Sequence, residues 1–169
     1  MQDELLDLVN EQDEVIGTIW RSQAYAQNRL FQVRAVWLLI RNQDGKFWIP
    51  RRHATKVTLP NALDGSAVGH VGVGESYEQA MIREVAEELN LDMMKMQYRF
   101  VGAMSPKDGT ASFVQLFESI VPNGFVIDYN RDDFSEFYWF SSKELIDKIE
   151  SGDLAKPSLI KIIKRFYIV

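Results

Sequence analysis

The sequence predicts a mixed-sheet α/β (α+β) domain, and three observations point to it. Short segments rich in β-branched and aromatic residues recur along the 169 residues, one well-marked amphipathic helix lies in the middle, and two further helical patterns close the chain. No Pro/Gly/Ser-rich linker, internal repeat or low-complexity tract breaks this order, so residues 1–169 are read as a single domain.

Leu5 to Asn10 predicts a strand that turns through Glu11 to Glu14 into a second, Val15 to Trp20, and Arg21 to Asn28 a short helix. Phe31 to Arg41 joins Lys46 to Pro50 through Asn42-Gln43-Asp44-Gly45, a hairpin signal because Asp-Gly tolerates the positive φ of a tight turn. A loop from Arg51 to Pro60 leads to a small-residue segment, Asp64 to Gly74. Ser76 and Gln79 then fit a capping box, in which each side chain satisfies a free backbone N–H at a helix start. Ile82, Val85, Ala86 and Leu89 recur at helical spacing as the face expected to meet a core. Asn90 falls where that helix should end, asparagine being the usual substitute for glycine in the left-handed terminal position. Gln97 to Met104 and Ala111 to Val121 read as strands around a turn at Pro106 to Gly109, and Glu136 to Phe140 as another. Ser142 to Ser151 and Pro157 to Phe166 read as helices. In the last, Leu159, Ile160, Ile162, Ile163 and Phe166 suit either a core or the face of a homodimer.

Composition narrows the function. With 46% hydrophobic and 25% charged residues, the chain can close its own core. Nineteen Lys and Arg against 24 Asp and Glu leave a net charge of −5, without the broad positive field that nucleic-acid binding relies on. There is no cysteine, which removes disulfides, thiolate metal sites and thiol nucleophiles, so any catalysis must use oxygen and nitrogen groups. The apolar run Val36 to Ile40 is far short of the roughly 20 residues of a membrane span. The acidic start, Asp3, Glu4 and Asp7, is unlike a targeting peptide, so a cytoplasmic location without a membrane partner is expected.

The central helix carries a chemical signal. Glu84, Glu87 and Glu88 stand at i, i+3 and i+4, on a face nearly opposite the apolar stripe. Like charges at these spacings destabilise a helix, and the C-terminal half, where they sit, is also where the helix dipole disfavours anions. Arg83 is the only basic residue between Ser76 and Leu91 and cannot balance three carboxylates. A bound cation explains the cluster, and oxygen donors favour Mg²⁺ or Mn²⁺ over zinc. Without it the three repel, so neutralising Glu87 should relieve strain. Upstream, Gly69, Gly72 and Gly74 surround His70 and precede Glu75, allowing close backbone approach to a ligand.

Read as Gly69, five residues, Glu75, seven residues, then Arg83-Glu84-Val85-Ala86-Glu87-Glu88-Leu89-Asn90-Leu91, this segment resembles the Nudix box, G-x5-E-x7-R-E-U-x-E-E-x-G-U with U aliphatic. Every fixed position matches except one: Asn90 stands where the family has glycine. The resemblance implies an α/β/α sandwich with a loop–helix–loop metal site. In it Glu87 and Glu88 would be the principal Mg²⁺ ligands, and Glu84 a further ligand or the group that orients or deprotonates water. Arg83 would hold the carboxylates in place, and Gly69 and Glu75 would shape and orient the loop. The activity implied is Mg²⁺-dependent hydrolysis of a diphosphate linkage in a small nucleoside-diphosphate-type or related substrate.

Outside the box, Arg34-Ala35, Arg51-Arg52, Lys56 and Gly69-His70 with their neighbours look like the isopentenyl-diphosphate isomerase branch. That likeness implies His70 as a metal ligand and Arg52 and Lys56 as diphosphate contacts. The branch's acid–base cysteine is replaced by Val68, however, and Ala111-Ser112-Phe113-Val114-Gln115 offers no partner glutamate. Hydrolysis is therefore preferred over isomerisation by a relocated acid–base pair, and over a non-catalytic binder. Asp133 and Glu136 are alternatives to Glu84 as general base, and Phe134, Phe137, Tyr138 and Trp139 could stack on a base or belong to the core.

Overall fold

The computed structural model describes residues 3–168. At the start, β1 (Leu5–Val9) and β2 (Val15–Trp20) pair antiparallel as a two-stranded sheet, followed by α1 (Arg21–Ala26) and one 3-10 turn, Leu30–Gln32. The main sheet holds β3 (Arg34–Asn42), β4 (Phe47–Arg52), β5 (Ala67–His70), β6 (Arg99–Met104), β7 (Phe113–Val121) and β8 (Phe134–Phe140). Its order is β6-β7-β3-β4-β8, with β5 beside β3. β3 and β7 run parallel, from Arg34 opposite Phe113 to Asn42 opposite Val121, and the other pairs are antiparallel. Ala35 to Ile40 of β3 is buried throughout, as a strand covered on both faces requires.

Three helices cover this sheet: α2 (Tyr77–Leu89), α3 (Ser142–Glu150) and α4 (Pro157–Phe166). Val36, Leu38 and Ile40 pack on one side with Ala80, Met81, Val85 and Leu89 of α2. Ala35, Trp37 and Leu39 pack on the other with Leu145 of α3 and Leu159, Ile162 and Ile163 of α4. The result is the expected α/β/α sandwich. Four of the five apolar residues of the last helix accordingly belong to the core: Leu159, Ile162 and Ile163 are fully buried and Phe166 packs with them, while Ile160 is half-buried outside it.

Several boundaries differ from expectation for identifiable reasons. Phe31 lies in the 3-10 turn, closed by a Val33 N–H donating to the Leu30 carbonyl, so β3 begins at Arg34. β4 continues past Pro50 to Arg52 because β8 itself starts earlier, at Phe134, and pairs with it. The inner face of α2 is Ala80, Met81, Glu84, Val85 and Leu89, while Ala86 is exposed. Glu84 thus takes the inward place that the apolar pattern had given to Ala86.

One buried charge stands far from that helix. Glu118 of β7 is sealed from solvent, with Arg99 of β6 at 2.8 Å and Arg41 of β3 at 3.2 Å. Tyr167, just past α4, lies beside Arg41.

Because Ile163 fills core rather than an interface, Ile163→Ala should destabilise the protein by about 2–5 kcal/mol, the usual loss for a large-to-small change in a core. Urea denaturation measures it, and sedimentation of the variant should match the wild type.

Candidate functional site

α2 is fixed at both ends by local chemistry. Ser76 Oγ accepts from the Gln79 N–H at 3.1 Å, and Gln79 Oε1 accepts in return from the Ser76 N–H at 2.8 Å. Asn90 adopts the left-handed conformation, φ 52° and ψ 32°. It does more than imitate glycine, since its Nδ2 donates to the Asp128 carbonyl at 2.6 Å. The Asn130 N–H donates to the Glu88 carbonyl at 2.7 Å, so residues 128–130 close off the end of the helix.

Gly69 explains how a glutamate can sit inside. A Cβ added there would lie 1.9 Å from the Glu84 carboxyl carbon, so β5 and α2 approach closely only because residue 69 has no side chain. Arg83 supplies the countercharge. It donates to both oxygens of Glu75 at 2.9 Å, to Glu84 Oε1 at 2.5 Å and to the His70 carbonyl at 3.0 Å. Glu75 also accepts from the Gly72 N–H at 2.9 Å, which fixes the loop.

The three glutamates differ in environment. Burial pushes the Glu84 carboxyl up to about 7, and Arg83 only partly opposes it. Burial, followed by repulsion from Glu84 and Asp64, holds Glu88 well above the usual carboxylate range, although the Val68 N–H donates to its Oε2 at 3.1 Å. Glu87 is exposed, 3.6 Å from Arg83. The expectation of one carboxylate face opposite the core is thereby corrected: Glu84 and Glu88 turn inward and Glu87 outward. Glu87, although exposed, still adds repulsion to the Glu84 carboxyl.

All three line a cavity of about 630 Å³. Among the described residues, no three His, Asp or Glu groups already converge into a metal cage. Arg83 and the Val68 N–H hold Glu84 and Glu88 by one oxygen each. The donor set nevertheless fits a hard divalent cation. Two enclosed carboxylates with raised pKa face one cavity, and their full ionisation lacks a matching positive charge. His70 also lines the cavity, with Nδ1 3.4 Å from the Arg34 carbonyl and its ring edge-on to Tyr25 at 6.1 Å. Burial pushes its pKa down to about 4, so the imidazole is neutral at neutral pH.

The cationic wall departs from expectation. Arg52 and Lys56 both line the cavity, but Arg52 donates to Asp64 at 2.9 Å and to the Thr58 and Leu59 carbonyls, and Lys56 pairs with Asp133. Arg52 is thus committed to holding the loop that carries Lys56. Asp133 reaches the cavity, whereas Glu136 does not: it binds Arg51 at 2.7 Å and the Tyr138 hydroxyl at 2.6 Å. Phe134, Phe137, Tyr138 and Trp139 also stay out of it, Phe134 and Phe137 packing on Trp48. Val68, Ala111 and Ser112 do line it, so the two places where the isomerase pattern wants a thiol and a carboxylate face the cavity without either group. Sequence reasoning missed Lys156, Ser158 and Tyr25, all on the cavity wall. Only Pro157 at the first turn of α4 marks that end of the wall in the sequence.

Comparison with known proteins gives a consistent result. The NUDIX domain family matches residues 31–161. The chain is 43% identical over 169 residues to an uncharacterized Nudix hydrolase of Nostoc sp., covering 99% of this chain and 98% of that one. It is 39% identical to a Nudix hydrolase of Deinococcus radiodurans, covering 99% and 96%. A crystal structure of a Deinococcus radiodurans protein, 38% identical, superposes with a TM-score of 0.91 over 97% of this chain and 99% of the other. At 26% identity over 155 residues, covering 88% and 83%, the chain is also similar to an isopentenyl-diphosphate Delta-isomerase of Kocuria rhizophila.

The metal-free protein should show the inward carboxylate in its pH dependence. The unfolded chain releases the Glu84 proton near the ordinary glutamate value of 4.5 and the native state only near 7, so this group lowers stability as pH rises between them. His70 acts oppositely, its depressed pKa costing stability as pH falls from 6.5 towards 4. The stability of Glu84→Gln relative to wild type should therefore rise steadily from pH 4.5 to 7 in thermal melts with chelator, because the variant loses both the Glu84 titration and the repulsion that Glu84 exerts on Glu88.

Proposed function

The chain belongs to the Nudix family and is a hydrolase, and on that footing we propose that it is an Mg²⁺- or Mn²⁺-dependent pyrophosphohydrolase. Its substrate would be a small nucleoside-diphosphate-type or related molecule, cleaved at the diphosphate linkage. One observation carries this reading: Glu84 and Glu88 face a cavity of about 630 Å³ whose wall also bears Lys56, Arg52 and Lys156. Carboxylates suited to a divalent cation and side chains suited to phosphate oxygens thus share one enclosed space.

In this proposal Glu87 and Glu88 hold the cation, with Glu84 and the neutral imidazole of His70 as further donors. The cation would neutralise phosphate oxygens and acidify water when bound. Arg83 and Glu75 position the helix against the loop. Glu84, with its carboxyl pushed up to about 7, is suited to take a proton from water near neutral pH, and Asp133 is the alternative base on the same cavity. Glu136 is left out, being turned away. Val68, Ala111 and Ser112 weigh against isomerisation, which needs two groups to add and remove a proton.

No helix among the described residues is long and apolar enough to cross a membrane, and a cytoplasmic role acting on small molecules fits the proposal.

Screening diphosphate compounds with Mg²⁺ or Mn²⁺ tests this directly. Turnover of at least one should occur, and Glu84→Gln should lower kcat by about 10²- to 10⁴-fold, the usual worth of a positioned acid–base group. Mg²⁺ should raise the melting temperature of the wild type and fail to do so in Glu88→Gln. If no compound in the panel turns over, the assignment falls.

A further inference from the structure

The end of the cavity formed by α4 has a character of its own. Lys156 caps the helix, Pro157 is its first residue, and both line the cavity with Ser158. Proline has no N–H, so Ser158 is the first residue of this ten-residue helix with an amide to offer, at the positive end of the dipole. Ser158 is only 8% exposed, and its hydroxyl has no hydrogen-bond partner among the described residues. Its oxygen is not sealed off, so the hydroxyl is open to the cavity and to whatever ligand enters it.

A second such group stands in the same cavity. Ser112, 6% exposed, likewise has no partner for its hydroxyl, although its carbonyl accepts from Thr110. Lys161, one turn along α4, donates to the Gly109 carbonyl and ties the 109–112 segment to this helix. Charge completes the picture. Asp64 is shared by Arg52 at 2.9 Å and Lys156 at 2.7 Å, so the ammonium does not have that carboxylate to itself. Lys156 and Asp64 both act on the Glu88 carboxyl, in opposite senses, which sets this end of the cavity beside the glutamates.

We propose that Lys156, Ser158 and Ser112, at the N-terminus of α4, form a phosphate-binding subsite for the phosphoryl group of the diphosphate that the glutamates do not hold. An ammonium, two hydroxyls and a free helix amide are hydrogen-bond donors suited to phosphate oxygens. The subsite does the work that the sequence pattern had suggested for Arg52, whose guanidinium is occupied by Asp64 and loop carbonyls. The inference rests on the hydrolase reading for the identity of the ligand, but not for its test.

Metal-free protein is titrated with inorganic pyrophosphate by calorimetry, and the amides of Ser158 and Leu159 are followed by NMR. Wild type should bind with shifts at both amides. Ser158→Ala should bind about tenfold more weakly, the loss expected for one hydrogen bond to a charged group. Its melting temperature should not change, since the hydroxyl has no partner to lose. Lys156→Met, which leaves Asp64 paired with Arg52, should also bind more weakly. Absence of pyrophosphate binding to the wild type, or equal affinity in Ser158→Ala, overturns the subsite. Ser158-dependent binding in a protein that cleaves no diphosphate would overturn the hydrolase reading and leave the subsite standing.

Discussion

The guanidinium of Arg83 joins three stretches of chain that would otherwise have little reason to stay together. It holds Glu75 in the loop before α2, the carbonyl of His70 at the end of β5, and Glu84 on its own helix. Burying a carboxylate against a sheet is strongly unfavourable unless it is paired and hydrogen-bonded. Arg83 and the side-chain-free Gly69 together make that burial possible, one by supplying charge and the other by supplying space. The position of Glu84 and the fixed shape of the loop both follow from this arrangement.

The cavity beyond it combines two groups of charged side chains. On the α2 side, burial and mutual repulsion raise the pKa of both Glu84 and Glu88. On the α4 side, two cations, Arg52 and Lys156, share the carboxylate of Asp64. The proposed metal would bring a cation to the first group, and the proposed diphosphate an anion to the second. Side chains that look free in the sequence are engaged: Arg52 with loop carbonyls and Asp64, Lys56 with Asp133.

Periodicity and capping made much of this legible in advance. The capping box of Ser76 and Gln79 and the left-handed Asn90 are local chemistry, decided by residues within one turn of each other, and both are present. The strand ladder and the two closing helices follow from patterns of the same short range. What could not be read is the rotation of α2. Helical spacing alone points Ala86 inward and Glu84 outward, because apolar side chains normally seek the core. Only the absence of a side chain at Gly69, on another element, reverses the preference. Lys156 and Ser158 were missed for a related reason. Nearly ninety residues separate them from Gly69, and nothing near them in the sequence resembles a motif.

The sealed carboxylate of Glu118 has a consequence for how the chain finds its fold. β7 lies between β3 and β6, and Glu118 meets Arg41 from one neighbour and Arg99 from the other. Side chains alternate across a sheet, so a slip of one residue would turn Glu118 to the opposite face, among Val36, Leu38 and Ile40, with neither arginine in reach. An apolar residue at 118 would tolerate that slip, since both faces of the sheet are oily. The carboxylate makes misalignment expensive and acts as a proofreading mark, so that only the correct alignment of three strands gives it company.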